Sequence, residues 1–224
     1  MALPRAPLAV VFDMDGLIFD SESLYRDAMM AAAARRGHDM PLALFLSMVG
    51  LPGAGSRAVM LGHFGPDFDV DAFWAASSEH FYEMAKSQLA LKTGVIELLD
   101  TLDALNLPRA IATSSRHQDA EHHLAHAGIR ERFHAVIAQG DYAHGKPAPD
   151  PFLAAATRLG VAPADCLALE DSHNGVRAAS SAGMMTIMVP DLLSATEEIE
   201  ALCRHIAADL HEVEALVRTA WRDR

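Results

Sequence analysis

The sequence predicts an α/β fold in which a doubly wound parallel sheet carries a small inserted helical domain. The first observation is that short apolar runs alternate with segments of helical periodicity from Lys92 onward, which is typical of strand–helix–strand crossovers. The second is that only helical spacing follows the first apolar run, up to about Gln88. We therefore predict a core domain over residues 1–16 and 90–224, and a helical cap domain over 17–89.

The core strands are predicted where apolar, partly β-branched runs end in polar residues or turns. The first strand is Leu8–Phe12, and the later strands are 109–112, 135–138, 166–169 and 186–189. Helices are predicted beside them over 94–105, 117–127, 151–159 and 175–182. Gly128 and Gly160 stand where the left-handed residue that commonly ends a helix is expected. Ligands of such sheets bind beyond the carboxyl ends of the strands, so the site is expected there.

The cap domain is predicted to be helical because two segments carry apolar residues at helical spacing. The stripes are Leu24, Ala28, Ala31 and Ala32, and then Phe73, Ala76, His80, Phe81 and Met84. Loops are expected at 37–41 and 62–67, where glycine, proline and aspartate cluster. Gly53–Ala58 has the glycine spacing of a dinucleotide-binding loop, but no strand precedes it, and we interpret it as a loop of the cap.

The amino-acid composition argues against a nucleic-acid-binding or membrane-spanning protein. The chain is 51% apolar and 21% charged, which is ordinary for a globular protein. Its net charge of −12 argues against a nucleic-acid partner, and its two cysteines, Cys166 and Cys203, fit a reducing compartment. No apolar run approaches the roughly 20 residues of a membrane span, and no secretory signal is recognisable. We expect a cytoplasmic protein without a membrane partner, as a monomer or alternatively a dimer.

Polar residues follow the predicted strands where phosphate chemistry would need them. They are Asp13 and Asp15, Thr113 and Ser114, Glu170 and Asp171, with Lys146 in a loop. Several carboxylates without clustered cysteine or histidine favour a hard cation, and Mg²⁺ is the natural choice beside phosphate. A hydroxyl and a backbone N–H at a helix start bind an anion, and a lysine adds a compact positive charge. Together these groups suit a phosphoryl group and predict a small phosphorylated substrate.

Four segments closely resemble the motifs of the haloacid dehalogenase superfamily, in the branch with a helical cap after the first strand. They are Phe12–Glu22, Ile111–Ser115, Gly145–Pro147 and Leu169–Ser172. Each alone is weak, but four in the expected order are specific. The resemblance is to phosphoglycolate phosphatase and β-phosphoglucomutase-like proteins, and it implies a Rossmann-like core and an enzyme acting on phosphoric monoesters.

The resemblance also implies catalytic and metal-binding roles. Asp13 would be the nucleophile that forms an aspartyl-phosphate. Asp15 would be the general acid and base. Mg²⁺ would be held by Asp13, the Asp15 carbonyl and Asp171, with Glu170 nearby or ligating.

Phosphate and substrate contacts are expected from further residues. The resemblance implies that Thr113, the Ser114 N–H and Lys146 hold the phosphate. Arg57, with the loop 50–55, is suited to meet the distal end of the substrate, although a solvated arginine is an equal alternative. Arg116 is expected either to help hold the substrate or to cap its own helix.

Phosphatases pass the phosphoryl group to water, whereas β-phosphoglucomutase-like members return it to a sugar. The mutases that this chain resembles carry a histidine shortly after the first motif, where Tyr25 stands here, and Asp20–Tyr25 looks like the cap entry of small-molecule phosphatases. We therefore predict a Mg²⁺-dependent phosphatase for a small metabolite such as a sugar phosphate or phosphoglycolate. A sugar phosphomutase and a non-catalytic binding module on the same fold are the alternatives.

Overall fold

The computed structural model describes residues 3–49, 51 and 53–223. The chain divides into two compact units: the chain up to Phe19 with the chain from Leu91 onward, and the segment Asp20–Ala90. Among the described residues, no helix combines the length and the apolar character that crossing a membrane requires.

The first unit is built on a parallel sheet. Its strands are β1 (Ala9–Phe12), β2 (Arg109–Arg116), β3 (Ala135–Gln139), β4 (Cys166–Glu170), β5 (Met185–Met188) and β6 (His205–Ile206). Their order across the sheet is β3-β2-β1-β4-β5-β6, and every pairing is parallel. The doubly wound α/β fold is thus confirmed. The strand order reverses direction at β1, and the carboxyl end of that strand is where such sheets bind ligands.

The helices complete both units. Those of the Asp20–Ala90 unit are α1 (Ser21–Arg35), α2 (Leu42–Leu46), α3 (Gly53–Phe64) and α4 (Val70–Gln88). Those of the sheet unit are α5 (Val95–Ala104), α6 (His117–His126), α7 (Asp150–Leu159), α8 (His173–Ser181), α9 (Glu197–Leu202) and α10 (Leu210–Arg222). The sequence-based prediction contains neither β6 nor the last two helices.

Both faces of the sheet are buried, which explains why its strands are continuous apolar runs. Alternate strand residues share one face. On one face small residues of the central strands, such as Ala112 and Ala168, belong to one cluster with Phe152 of α7. The alternate strand residues, such as Phe12 and Leu169, face the other side of the sheet and are buried as well. Small side chains on the first face let helices approach the strands closely.

The helix α3 corrects two predictions. Loops are predicted at Gly53–Ala58 and at 62–67. The structure instead has helix over all of Gly53–Ala58 and over residues 62–64. Each glycine in a helix costs only about 0.5–1 kcal/mol relative to alanine, so Gly53 and Gly55 do not prevent α3 from starting where it does. The same cost at Gly62 is too little to end the helix. Gly50, part of the predicted substrate loop, lies outside the described residues.

The strand β2 contains an irregularity next to the expected site. Its pairing with β3 runs from Ala112 opposite Ile137 to Arg116 opposite Gln139, so three residues of β2 face one residue of β3. Such bulges redirect side chains and are common beside active sites. Here the bulge contains the predicted phosphate-binding segment.

Candidate active site

Lys146 lies between two buried carboxylates. Its Nζ donates to Glu170 Oε1 at 2.5 Å and forms a second ion pair with Asp13 Oδ1. The backbone N–H of Asp13, directly after β1, donates to the Leu169 carbonyl of β4 at 2.9 Å. Lys146 reaches the site from the loop between β3 and α7, and its Nζ lies 5.2 Å from the centre of the Phe152 ring. The three charged side chains therefore meet at the carboxyl ends of β1 and β4.

The start of α8 holds Glu170 in place. Its Oε2 accepts hydrogen bonds from the backbone N–H groups of Asp171 and Ser172, both at 3.2 Å, and from the Ser172 hydroxyl at 3.0 Å. That hydroxyl also caps the helix by accepting from the Gly175 N–H at 3.1 Å. A Cβ on Gly175 would lie 1.8 Å from the carboxylate of Glu170, so a side chain at this position would displace it. Glu170 thus has a donor on each oxygen.

Negative charge outweighs positive charge in this cluster. Ligand oxygens of Asp13, Glu170 and Asp171 lie within 4.8 Å of one another, and all three residues are buried. Burial raises the pKa of Asp13 to about 8, against the opposing effect of Lys146. The charges of Glu170 and Asp15 add to that rise. Burial by itself lowers the pKa of Lys146, but the two carboxylates beside it outweigh burial and hold that pKa above its ordinary value.

A divalent cation fits this cluster. All the offered ligand atoms are carboxylate oxygens, which suit hard cations such as Mg²⁺. Buried carboxylates are costly unless a proton or a cation offsets them, and the raised pKa of Asp13 reflects that cost. A cation at the same place would favour the ionised carboxylate instead.

Asp15 is bound by hydroxyl groups of the bulged part of β2. Ser115 Oγ donates to Asp15 Oδ2 at 2.6 Å, and Thr113 Oγ1 lies 3.4 Å from the same oxygen. Thr113 Oγ1 also accepts from the Ser115 backbone N–H at 3.0 Å. The two hydroxyls therefore orient the carboxylate for which the family resemblance implies a role in proton transfer.

Two other predicted contacts come from β2. Thr113 is buried, whereas Ser114 is exposed in the bulge. Arg116, the last residue of β2, pairs with Asp119 in the first turn of α6 at 2.8 Å. The Arg116 side chain makes no capping hydrogen bond to α6, and its contact with substrate stays a prediction.

Arg57 lies in α3 of the Asp20–Ala90 unit. It forms an ion pair with Asp71, and its guanidinium carbon lies 5.0 Å from the centre of the Trp74 ring. Both partners belong to α4 of the same unit. The Arg57 side chain is 39% exposed, and its contact with substrate stays a prediction.

Sequence reasoning assigned no role to Ser115 or Tyr142. Ser115 belongs to a quoted motif, but only the bulge explains why its hydroxyl reaches Asp15. Tyr142 follows β3, and its hydroxyl donates to the Thr113 carbonyl at 3.0 Å. The position of Tyr142 just past the carboxyl end of a strand was the signal that could have found it.

The chain is similar to known proteins in sequence and in fold. A family model described as haloacid dehalogenase-like hydrolase matches residues 7–183. The plasmid CbbY protein of Cupriavidus necator is 35% identical over 86% of this chain and 82% of its own length. The fructose-1-phosphate phosphatase YqaB of Escherichia coli is 32% identical over 80% of this chain and 95% of its own length.

A solved structure is similar as well. It is a Thermotoga maritima protein described as a β-phosphoglucomutase, with a TM-score of 0.80 and 27% identity, covering 94% of this chain and 98% of its own. These matches confirm the resemblance that the four motifs predict.

Proposed function

This chain belongs to the haloacid dehalogenase-like hydrolase family, and from that premise we propose that it is a Mg²⁺-dependent phosphatase of a small phosphorylated metabolite. Family membership and the phosphatases among its relatives confirm the predicted enzyme class, a phosphoric monoester hydrolase. A sugar phosphate or phosphoglycolate is the substrate class that we favour. The activity of the fructose-1-phosphate phosphatase relative supports the former.

The single observation that carries the proposal is the buried contact of Lys146 with Asp13 and Glu170. Glu170 holds the lysine, and the lysine holds one oxygen of the carboxylate that attacks. A binding module that had kept only the fold would have no need for this costly arrangement. The family resemblance implies that Asp13 is the nucleophile, and this contact supports that assignment.

The reaction proceeds in two transfers. An Asp13 oxygen forms a bond to phosphorus while the bond between phosphorus and the alcohol oxygen breaks, and Asp15 gives its proton to that oxygen. Asp15 then takes a proton from water, whose oxygen bonds to phosphorus as the bond to Asp13 breaks. Inorganic phosphate leaves, and both aspartates return to their starting states. Ser115 keeps Asp15 oriented for both proton transfers.

The metal would be held by Asp13, Asp171 and the Asp15 carbonyl, and it would offset the negative charge of the transferred group. Glu170 is the weaker candidate for a direct ligand, because both of its oxygens already accept hydrogen bonds. We assign Glu170 to positioning Lys146.

Phosphate oxygens would be held by the Thr113 hydroxyl, the Ser114 N–H and Lys146. The bulge in β2 supports this assignment because it exposes Ser114 while it keeps Thr113 buried. Arg57 and Arg116 are the proposed contacts for the rest of the substrate. Each already pairs with an aspartate, so binding would exchange that carboxylate for oxygens of the substrate.

A sugar phosphomutase is the second candidate, and the likeness to the protein described as a β-phosphoglucomutase favours it. Tyr25 argues against it, because a histidine is expected at this position in the mutases. The Tyr25 ring packs edge-on against Phe81 of α4, with centroids 5.7 Å apart.

The test is a phosphate-release screen over phosphorylated metabolites, with and without Mg²⁺, beside an isomerisation assay on β-glucose 1-phosphate. The proposal predicts phosphate release that needs Mg²⁺ and is lost in Asp13→Asn. Isomerisation that needs a bisphosphorylated sugar, with little phosphate released, would identify the mutase instead. Wild-type rates in Asp13→Asn would refute both.

A further inference from the structure

Asp191 has a buried carboxylate oxygen without a hydrogen-bond donor. The residue lies three positions beyond β5, and its side chain is 9% exposed. Its Oδ1 accepts from Lys92 Nζ at 2.6 Å. Its Oδ2 is buried and has no hydrogen-bond partner among the described residues. A charged oxygen left in this state is costly, so a donor is expected to reach it.

The unpartnered oxygen borders the acidic cluster. Gly16 has a φ of +82°, and a Cβ built there would lie 2.3 Å from Asp171 Oδ2 and 3.3 Å from Asp191 Oδ2. The two carboxylates therefore approach the same side of Gly16. The group of oxygens within 4.8 Å of one another contains Asp171 but not Asp191. Asp191 is thus placed beside the cation site, outside the set of direct ligands.

A water bound to Mg²⁺ is a suitable hydrogen-bond donor for Asp191 Oδ2. Mg²⁺ keeps several of its waters when proteins bind it, and those waters are strong hydrogen-bond donors. Residues that hold the ligands and waters of a metal from outside typically change its affinity 10–100-fold when they are mutated. The hydrogen bond from Lys92 to Oδ1 fixes the orientation of the Asp191 carboxylate, and with it the position of Oδ2.

We propose that Asp191 is a positioning residue whose Oδ2 accepts a hydrogen bond from a water of the hydrated divalent cation held at Asp171. This rests on the proposed function, because that function places a cation at the cluster. Lys92 would orient Asp191 through their ion pair. A purely structural Asp191 would instead serve only as the partner of Lys92.

Calorimetric titration of the metal-free full-length protein with Mg²⁺ separates these roles. Asp191→Asn is expected to bind Mg²⁺ about 10–100-fold more weakly. Lys92→Met breaks the same ion pair but keeps the Oδ2 acceptor, so it is expected to lose less affinity than Asp191→Asn. Both single variants are expected to show similar melting temperatures in EDTA, since both lose that pair. Equal Mg²⁺ affinity in the two variants would overturn the proposal.

Two further variants complete the test. The double variant Lys92→Met with Asp191→Asn leaves no charge unpaired, and it is expected to reproduce the weak binding even where Asp191→Asn alone fails to fold. Asp171→Asn tests the cation site itself. Loss of Mg²⁺ binding in Asp171→Asn beside wild-type binding in Asp191→Asn would refute only this inference. Wild-type binding in Asp171→Asn would refute the cation site of the proposed function, and with it this inference.

Discussion

Lys146 donates a hydrogen bond to Glu170 at 2.5 Å, and both side chains are buried. The same ammonium group also pairs with Asp13, so one lysine serves two carboxylates. Removing one partner of a buried ion pair is more costly than never having built the pair, because the remaining charges stay buried.

We predict that Lys146→Met lowers the free energy of unfolding by about 3–5 kcal/mol in buffer without divalent metal. Urea denaturation followed by circular dichroism measures this. Lys86→Met is the matched control, because Lys86 forms an exposed ion pair with Glu83 and should change stability little. An unchanged unfolding curve for Lys146→Met would contradict the account of the charge cluster.

Gly175→Ala should disturb the site although no charged residue is replaced. The new Cβ would collide with the Glu170 carboxylate, which must then shift away from Lys146. We expect about 1–3 kcal/mol of destabilisation from overpacking and a loss of phosphatase activity of roughly 100-fold. Gly62→Ala, in α3 with open space around it, should leave activity unchanged. Full activity in Gly175→Ala would show that Glu170 need not be held where it is.

Ser115→Ala should lower turnover more than stability. It removes the 2.6 Å hydrogen bond to Asp15, and bonds to charged groups contribute about 1.5–3 kcal/mol. We expect kcat to fall about 10–100-fold, while the melting temperature falls by only several degrees because the same bond also stabilises the folded state. Ser47→Ala removes a hydroxyl that donates to the Leu44 carbonyl in the Asp20–Ala90 unit, and it serves as the control. Wild-type kcat in Ser115→Ala would remove Ser115 from the mechanism.

Both cysteines should be unreactive in the folded protein. Burial raises the pKa of Cys166 to about 11, with a contribution from Asp165, and burial also raises that of Cys203 to about 11. Only the thiolate reacts, and a pKa of 11 leaves roughly one thiol in a thousand ionised at pH 8. Titration with DTNB at pH 8 should detect both thiols only after denaturant is added, whereas an exposed Ala34→Cys should react at once. A thiol in the native wild type that reacts as fast as free cysteine would contradict this.

The strands that carry the site were predictable from sequence because each is a buried apolar run followed by polar residues. The strand β6 was not, because it has two half-buried residues and no apolar run. The helix α10 did carry a signal, since Leu210, Val213 and Val217 form a buried stripe. That stripe lies beyond the last predicted strand.

The charged residues of the site were predictable from the sequence, but several of their hydrogen-bond partners were not. The motifs mark Asp13 and Lys146, which are found in contact. The contacts of Ser115 depend on the register shift in β2, which no local pattern reveals. The Lys92–Asp191 pair joins residues 99 positions apart, so only the folded sheet brings them together.

Acid-quenched single turnover with p-nitrophenyl phosphate tests most directly whether Asp13 carries the phosphoryl group. Peptide mass spectrometry of the quenched enzyme should find one phosphoryl group on Asp13. Asp15→Asn should retain that group longer than the wild type, because it lacks the base that activates water, and Asp13→Asn should show none. Turnover in the wild type with a phosphoryl group on another residue, or undiminished turnover in Asp13→Asn, would contradict the account.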